Sequence, residues 1–176
     1  MTTLLLVRHG ETDWNAEGRL QGHTDRPLSD FGRRQAQKLA AELQGEELEA
    51  IYSSDLARAR ETAEIVAERL GLQVELDSDL REKDWGTWEG LTPAERDRVE
   101  LVSESTQAHQ ERTLRALRRI SELHPGSGSV LVVTHGGSMR RVQTAALGMA
   151  LPVVENCGRW LCTYADGAFG PIVPSG

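Results

Sequence analysis

Two short stretches hold the residues best able to do chemistry. Leu6-Val7-Arg8-His9-Gly10-Glu11-Thr12 lies near the start of the chain, and Val133-Thr134-His135-Gly136-Gly137 lies far downstream. Each sets a histidine just after an apolar run and directly before glycine. An open α/β sheet presents its reactive groups at such places, beyond the carboxyl ends of its strands. A neutral imidazole offers a lone pair near pH 7. The adjoining arginine offers a planar fork of donors that stays charged. Together these residue types suggest a pocket for a phosphate group. Phosphate esters resist attack because their anionic oxygens repel a nucleophile; fixed cations remove that repulsion and align the group. A histidine that takes the phosphoryl group and passes it to water splits one hard step into two. The two stretches alone do not rank the histidines.

The elements that must position these residues follow from hydrophobic periodicity. Thr3 to Val7 and Ser129 to Val133 are continuous apolar runs, expected of strands covered on both faces. Residues 11 to 28 read as a long loop punctuated by Gly18, Gly22 and Pro27. Ser29 is placed to cap a helix with Phe31, Ala36, Leu39, Ala40 and Leu43 inward. Ala50 to Ser53 is a short strand, and Ser54 or Asp55 is placed to cap the next helix, Asp55 to Leu70. Gln73 to Leu76 reads as a third strand, whereas Asp79 to Ser103 is polar and has no clear period. A long helix follows with Ala108, Leu114, Leu117, Ile120 and Leu123 inward, ended by Pro125-Gly126. Met139 to Leu147 is helical and closed by Gly148. Trp160 to Tyr164 and Gly170 to Val173 form a terminal strand pair. Strands alternating with helices predict an α/β three-layer sandwich: a mostly parallel central sheet with helices on both faces. Residues 1–176 are expected to form a single domain.

Composition excludes several function classes. With 27 acidic against 20 basic residues the formal net charge is −7, which argues against nucleic-acid binding by bulk electrostatics. An anionic ligand must then be held by a local arginine cluster. No apolar run approaches a membrane span, and Met1-Thr2-Thr3 lacks the basic start of a secretory signal. The chain is expected to be cytoplasmic, a monomer or a homodimer. Cys157 and Cys162, on opposite faces if both lie on one strand, are expected to remain reduced, and no metal-site spacing is present. There is neither GxxxxGK[ST] nor GxGxxG, so a glycine-rich nucleotide loop is excluded.

Four groups of residues occur in a telling order. Leu6 to Thr12 is followed by Trp14-Asn15, Gly18-Arg19-Leu20-Gln21-Gly22, Asp25 and Pro27-Leu28-Ser29. Then come Ser53-Ser54-Asp55-Leu56-Ala57-Arg58-Ala59 with Thr62-Ala63, Leu80-Arg81-Glu82 with Gly86, Trp88 and Glu89-Gly90, and Thr134-His135-Gly136-Gly137. This series resembles the histidine phosphatase superfamily, the phosphoglycerate-mutase-like proteins. The resemblance implies that Arg8, His9, Arg58 and His135 surround one phosphoryl group, with His9 the nucleophile and His135 a charge-stabilising ligand. It selects Arg58 over Arg60; two positions apart on a helix, these point about 200° apart. It implies Glu82 as the general acid and base, in preference to Glu89, Asp84 and Glu11. Asn15, Gln21, Gly22 and Gly136 match substrate-binding positions. No cofactor and no metal are implied. Trp14 and Trp85 flank these residues and are placed to wall the pocket.

One departure bears on activity. Where many relatives carry a longer insertion, residues 90 to 105 run quickly through Arg96 and Arg98 to Glu104-Ser105. Mutases of the family grip a substrate carboxylate with basic residues from that insertion. A shortened lid leaves the pocket open to water and favours hydrolysis. The expected activity is metal-independent hydrolysis of small-metabolite phosphate monoesters, such as sugar phosphates, phosphoglycerate derivatives or nucleotide-like phosphates. The alternatives are a cofactor-dependent phosphoglycerate mutase and a non-catalytic phosphate-binding module.

Overall fold

A computed structural model of the chain describes residues 1–126, 128–149 and 154–175. In chain order the elements are β1 (Thr2–Arg8), α1 (Asp13–Ala16), α2 (Asp30–Glu42), β2 (Leu48–Ser53), α3 (Ala57–Leu70), β3 (Val74–Leu76), α4 (Pro93–Arg96), α5 (Thr106–Leu123), β4 (Ser129–Thr134), α6 (Gly136–Leu147), β5 (Arg159–Ala165) and β6 (Ala168–Pro174). They build one six-stranded sheet in the order β3-β2-β4-β1-β5-β6. Strands β3, β2, β4 and β1 run parallel; β5 and β6 add an antiparallel pair at the β1 side.

The pleat of β1 explains the layering. Alternate side chains face opposite ways. Leu4 and Leu6 pack with Leu117 and Ile120 of α5 and Met139 and Val142 of α6. Leu5 and Val7 pack with Leu39, Ala40 and Leu43 near α2 and Ala59, Ala63 and Val66 of α3. The sheet is therefore covered on both faces, as the continuous apolar runs predict. Ser29 caps α2 by accepting Gly32 N–H at 3.0 Å, a bond worth about 1 kcal/mol to the helix.

The structure departs from the sequence reading in several places. Phe31 is 50% exposed, because it stands in the first turn of α2 beyond the sheet. On α5 the buried stripe is His109, Thr113, Leu114, Ala116, Leu117, Ile120 and Ser121. Leu114, Leu117 and Ile120 face inward as expected, whereas Ala108 faces solvent and Leu123 is 63% exposed, because the ends of the buried stripe are the polar residues His109 and Ser121. Helix α3 begins at Ala57, and its cap residue Leu56 makes no side-chain bond. The two capping candidates are engaged elsewhere: Ser54 with His135 and Asp55 with Arg81 at 2.7 Å. Within the long loop, Thr12 and Asn15 close a capping box around α1. The segment without a clear period holds two short 3-10 turns, Ser78–Leu80 and Gly86–Trp88, and α4. Cys157 lies before β5 rather than on it, and both cysteines are free thiols. Among the described residues no helix is long and apolar enough to cross a membrane.

Candidate active site

Strands β1 and β4 are neighbours, with Arg8 opposite Thr134. The ladder runs one step further, His9 N–H to Thr134 O at 3.0 Å. Two parallel strands in register must end side by side, so the residues that follow them meet. The His9 and His135 rings lie 5.1 Å apart, edge to face. Arg8 ends β1, His9 follows it, and His135 caps α6. Gly10 lets this turn press against the start of α2: a Cβ there would meet Gly32 O at 2.6 Å.

A cavity of about 150 Å³ opens beyond these strand ends, lined by Arg8, His9 and Arg58, with Glu82 and Trp85 on its wall. Asn15, Gln21, Gly22 and Gly136 line it too, as do Arg19 and Leu20, while His135 is fully buried and not among the lining residues. Arg58 is 1% exposed, whereas the Arg60 side chain stays 42% exposed beside Glu64. Trp14 lies off the cavity, its ring under Arg26 at 5.3 Å, and Trp160 belongs to the core. Trp85 stacks on Trp88 with centroids 6.2 Å apart.

Hydrogen bonds fix the chemical state of each group. His9 Nδ1 lies 2.6 Å from the Gly10 carbonyl. A carbonyl only accepts, so Nδ1 carries the proton and Nε2 keeps its lone pair. Burial, with Arg58 and Arg8 adding to it, holds the His9 imidazole well below its ordinary range. His135 is depressed in the same way, by burial first and then by Arg58. Its Nε2 is 2.9 Å from Ser54 Oγ, and Ser54 accepts the Leu56 N–H at 3.4 Å. A Ser54 proton given to Nε2 leaves His135 Nδ1 as a donor.

Among the buried donors without a protein hydrogen-bond partner in the described residues, three belong to this site: Arg8 Nε, Arg58 Nε and His135 Nδ1. Leaving a buried donor unmade costs about 1–3 kcal/mol, and two of these three belong to residues that line the cavity, which suits it to an anion. Arg58 is aimed by two backbone carbonyls, Gly22 O at 2.7 Å and Thr24 O at 3.1 Å. Burial lowers its guanidinium to about 10, still charged at neutral pH, against the pull of Glu82, Asp25 and Glu89. Burial also lowers Arg8, whose Nη1 donates to Val154 O at 2.8 Å.

The carboxylates separate by what they hold. Glu82 accepts Lys83 N–H at 2.8 Å and Gly137 N–H at 2.9 Å, and reaches the cavity. Gly137 is required there, since a Cβ would stand 2.1 Å from Glu82 Oε1. Glu89 is consumed by four donors: His23 N, Trp85 N, Thr24 N and Thr24 Oγ1. It thereby shapes the 22–24 turn whose carbonyls aim Arg58. Asp84 accepts Gly86 N–H and Glu11 accepts the Ser29 hydroxyl; neither lines the cavity. The carbonyl ends of Asn15 and Gln21 face the Thr12 hydroxyl at 3.2 and 2.9 Å, leaving each amide NH2 as the donor end.

Other supports escaped the sequence reading. Asn156 donates to His9 O at 2.9 Å, and Thr62 accepts Gly10 N–H at 3.0 Å. Arg112 donates to the carbonyls of Asp79, Arg81 and Glu82. None carries a local signal beyond its polar type, because each acts across the fold. Among the described residues no cluster of three or more His, Cys, Asp or Glu is arranged to hold a metal ion.

A larger groove of about 720 Å³ runs between Phe31, Arg34 and Lys38 on one side and Asn156, Cys157 and Arg159 on the other. Of its nucleophiles, the Cys157 thiol is pushed up to about 12 by burial, so it is protonated and inert. The smaller cavity holds the reactive groups.

Comparison with known proteins agrees with this geometry. The model of the histidine phosphatase superfamily (branch 1) matches residues 4–165. The chain belongs to this superfamily. It is 40% identical over 162 residues to phosphoglycerate mutase-like protein 4 of Arabidopsis thaliana, covering 81% of this chain and 70% of that one. Among solved structures it is similar to Bacillus stearothermophilus YhfR, 34% identical with TM-score 0.88, covering 96% and 94% of the two chains. It is also similar to a mycobacterial glucosyl-3-phosphoglycerate phosphatase in complex with VO3, 28% identical with TM-score 0.88, covering 100% and 98%. This histidine phosphatase fold is thus the α/β sandwich expected from the sequence.

The depressed imidazoles make folding pH-dependent. His9, His135 and His109 all sit below the unfolded value near 6.5, His109 at about 4. The unfolded chain therefore binds more protons, so the contribution is fully present above pH 6.5 and is lost as pH falls toward 4. Urea unfolding is expected to lose stability by more than one proton per molecule, about 1.4 kcal/mol per pH unit or more, between pH 6.5 and 5. A His9→Gln/His135→Gln double variant is expected to flatten that slope. An unchanged slope would refute the assigned buried neutral state.

Proposed function

We propose that this histidine phosphatase hydrolyses phosphate monoesters of small metabolites through a phosphohistidine on His9. The observation that carries the reading is the His9 tautomer: with Nδ1–H held by Gly10 O, a free Nε2 lies among donors left unpaired by the protein. The phosphoryl oxygens take the Nε donors of Arg8 and Arg58 and Nδ1 of His135. Nε2 attacks phosphorus as the ester P–O bond breaks. Glu82, in its acid form, gives its proton to the leaving oxygen. Water then attacks the phosphohistidine, Glu82 accepts a water proton, the P–N bond breaks and inorganic phosphate leaves. Arginine charge does throughout what a metal does elsewhere.

Two features favour hydrolysis over phosphate transfer between positions of a glycerate. The cavity is lined by Arg8, Arg19 and Arg58, but neither Arg96 nor Arg98 of the short 90–105 segment reaches it. That segment is also fastened to the 11–28 loop, Gly90 N–H to Leu20 O at 2.8 Å and Leu20 N–H to Leu91 O at 3.1 Å. The mutase reading draws on the name of the Arabidopsis relative. Phosphate release measured against exchange between glycerate phosphate isomers separates them, and exchange faster than release would reverse the choice. A panel of monoesters compared by kcat/KM tests the activity and ranks substrates; no phosphate release from any would refute it.

Glu82→Gln is expected to slow alkyl phosphates about 10²- to 10⁴-fold while barely affecting 4-nitrophenyl phosphate, whose leaving group needs no proton. Equal losses on both would remove Glu82 as the acid. Activity is expected to persist in EDTA, checked by phosphate release before and after dialysis. Loss on chelation with rescue by added metal would overturn the arginine-based mechanism.

A further inference from the structure

Helix α5 brings a buried imidazole to the back of the Glu82 carboxyl, and no step above uses it. His109 is 2% exposed. Its Nε2 lies 2.9 Å from Ser138 Oγ and 3.8 Å from Glu82 Oε1. Ser138 donates its single hydroxyl proton to the Arg81 carbonyl at 3.1 Å. Its oxygen must therefore accept, and His109 Nε2 carries a hydrogen. Burial pushes the ring down to about 4; Glu82 and Glu104 pull the other way, and Arg112 and Arg141 side with burial. The ring is thus a neutral donor near pH 7.

The bond to Ser138 fixes the ring beside Glu82. Glu82 is gripped by Lys83 N–H on Oε1 and by Gly137 N–H on Oε2. Arg112 locks the strand of backbone behind it through three carbonyls and pairs with Glu104 at 2.7 Å. Arg8 and Arg58 face Glu82 from the cavity side, and His135 is the next ring toward the phosphate site. When Glu82 is a carboxylate, Oε1 accepts one backbone N–H and has the His109 ring nitrogen 3.8 Å away, a dipolar contact rather than a hydrogen bond.

We propose that His109 is a positioning residue for Glu82: its ring, fixed by the Nε2–H bond to Ser138 Oγ, holds the positive end of its N–H dipole 3.8 Å from Glu82 Oε1 and steadies the carboxylate formed when the leaving group is protonated. This rests on the phosphomonoesterase reading of the site. His109 touches neither substrate nor phosphorus; it acts through Glu82 alone. Its removal must therefore be felt in proportion to how much the leaving group needs a proton.

The test compares His109→Phe, which fills the space without a donor, with His109→Gln, which returns an N–H near the position of Nε2. On glycerol phosphate, His109→Phe is expected to lower kcat about ten- to hundredfold with KM little changed. On 4-nitrophenyl phosphate the loss is expected to stay within about twofold. His109→Gln is expected to restore most of the glycerol phosphate rate. Equal losses on both esters, no loss on glycerol phosphate, or no rescue by glutamine would each overturn the assignment. A second readout does not depend on turnover. The imidazole N–H resonance of His109 in the full chain is expected to move in Glu82→Gln, and an unmoved resonance would overturn the contact. If the unmodified protein releases no phosphate, the reading of the site fails, while the resonance still decides whether His109 serves Glu82.

Discussion

Replacing His9 by alanine is expected to lower hydrolysis of every phosphate monoester by roughly 10⁴- to 10⁶-fold, the scale of losing a covalent nucleophile. The loss should not depend on the leaving group, because no ester can be cleaved without a nitrogen to receive phosphorus. Binding should survive it. Arg8 Nε, Arg58 Nε and His135 Nδ1 keep their unpaired donors whether or not the His9 ring is present. Vanadate or inorganic phosphate is therefore expected to bind the variant within about tenfold of the unmodified protein. Acid-quench labelling should capture a phosphorylated protein from the unmodified chain and none from His9→Ala. Near-normal turnover in the variant would exclude His9 as nucleophile, whatever the fate of the other residues.

The second large effect is expected at Arg58, where lysine should lower kcat/KM about 10²- to 10³-fold. Lysine keeps the charge but not the fork. The guanidinium spends Nη1 and Nη2 on Thr24 O and Gly22 O, which leaves Nε pointed for a ligand. An ammonium on a flexible stem cannot hold two carbonyls and a phosphoryl oxygen in the fork's fixed geometry. The loss should fall mainly on kcat, since the charge that matters develops during transfer. Wild-type kinetics in Arg58→Lys would refute the contact. Adding guanidinium ion to an Arg58→Ala variant is expected to recover part of the rate.

The fold was legible where pattern alone decides structure. Apolar runs at 3–7 and 129–133 could only be covered strands, and Ser29 and Gly148 mark helix ends that the structure keeps. The middle of the α5 stripe, Leu114, Leu117 and Ile120, was read correctly, but its ends were not, because His109, Thr113 and Ser121 are inward yet polar and counting apolar residues skips them. Ser54 and Asp55 looked like caps because their types suit caps; both are engaged across the fold, with His135 and with Arg81. The nearness of the two histidines could be guessed from strand ends, whereas Glu82 was preferred to Glu89 only through the family resemblance and not through any property of the two residues themselves. Both are acidic, both sit in the same irregular segment, and only the count of donors around each tells them apart. The roles of Asn156 and Arg112 come from contacts far apart in sequence, which no local spacing records.

The pairing of β1 with β4 carries a consequence for how the molecule is made. β1 precedes every other strand of the sheet in the chain, yet its parallel neighbour comprises residues 129–134 and its antiparallel one residues 159–165. A nascent chain leaving the ribosome must hold a strongly apolar Leu4-Leu5-Leu6-Val7 segment without its permanent partners until residues 129–165 have emerged. Such long-range closure is slow and exposes sticky edges. His9 and His135 are brought together by the same event, so on the proposed reading the first appearance of turnover during synthesis would time the zipping of the sheet's centre.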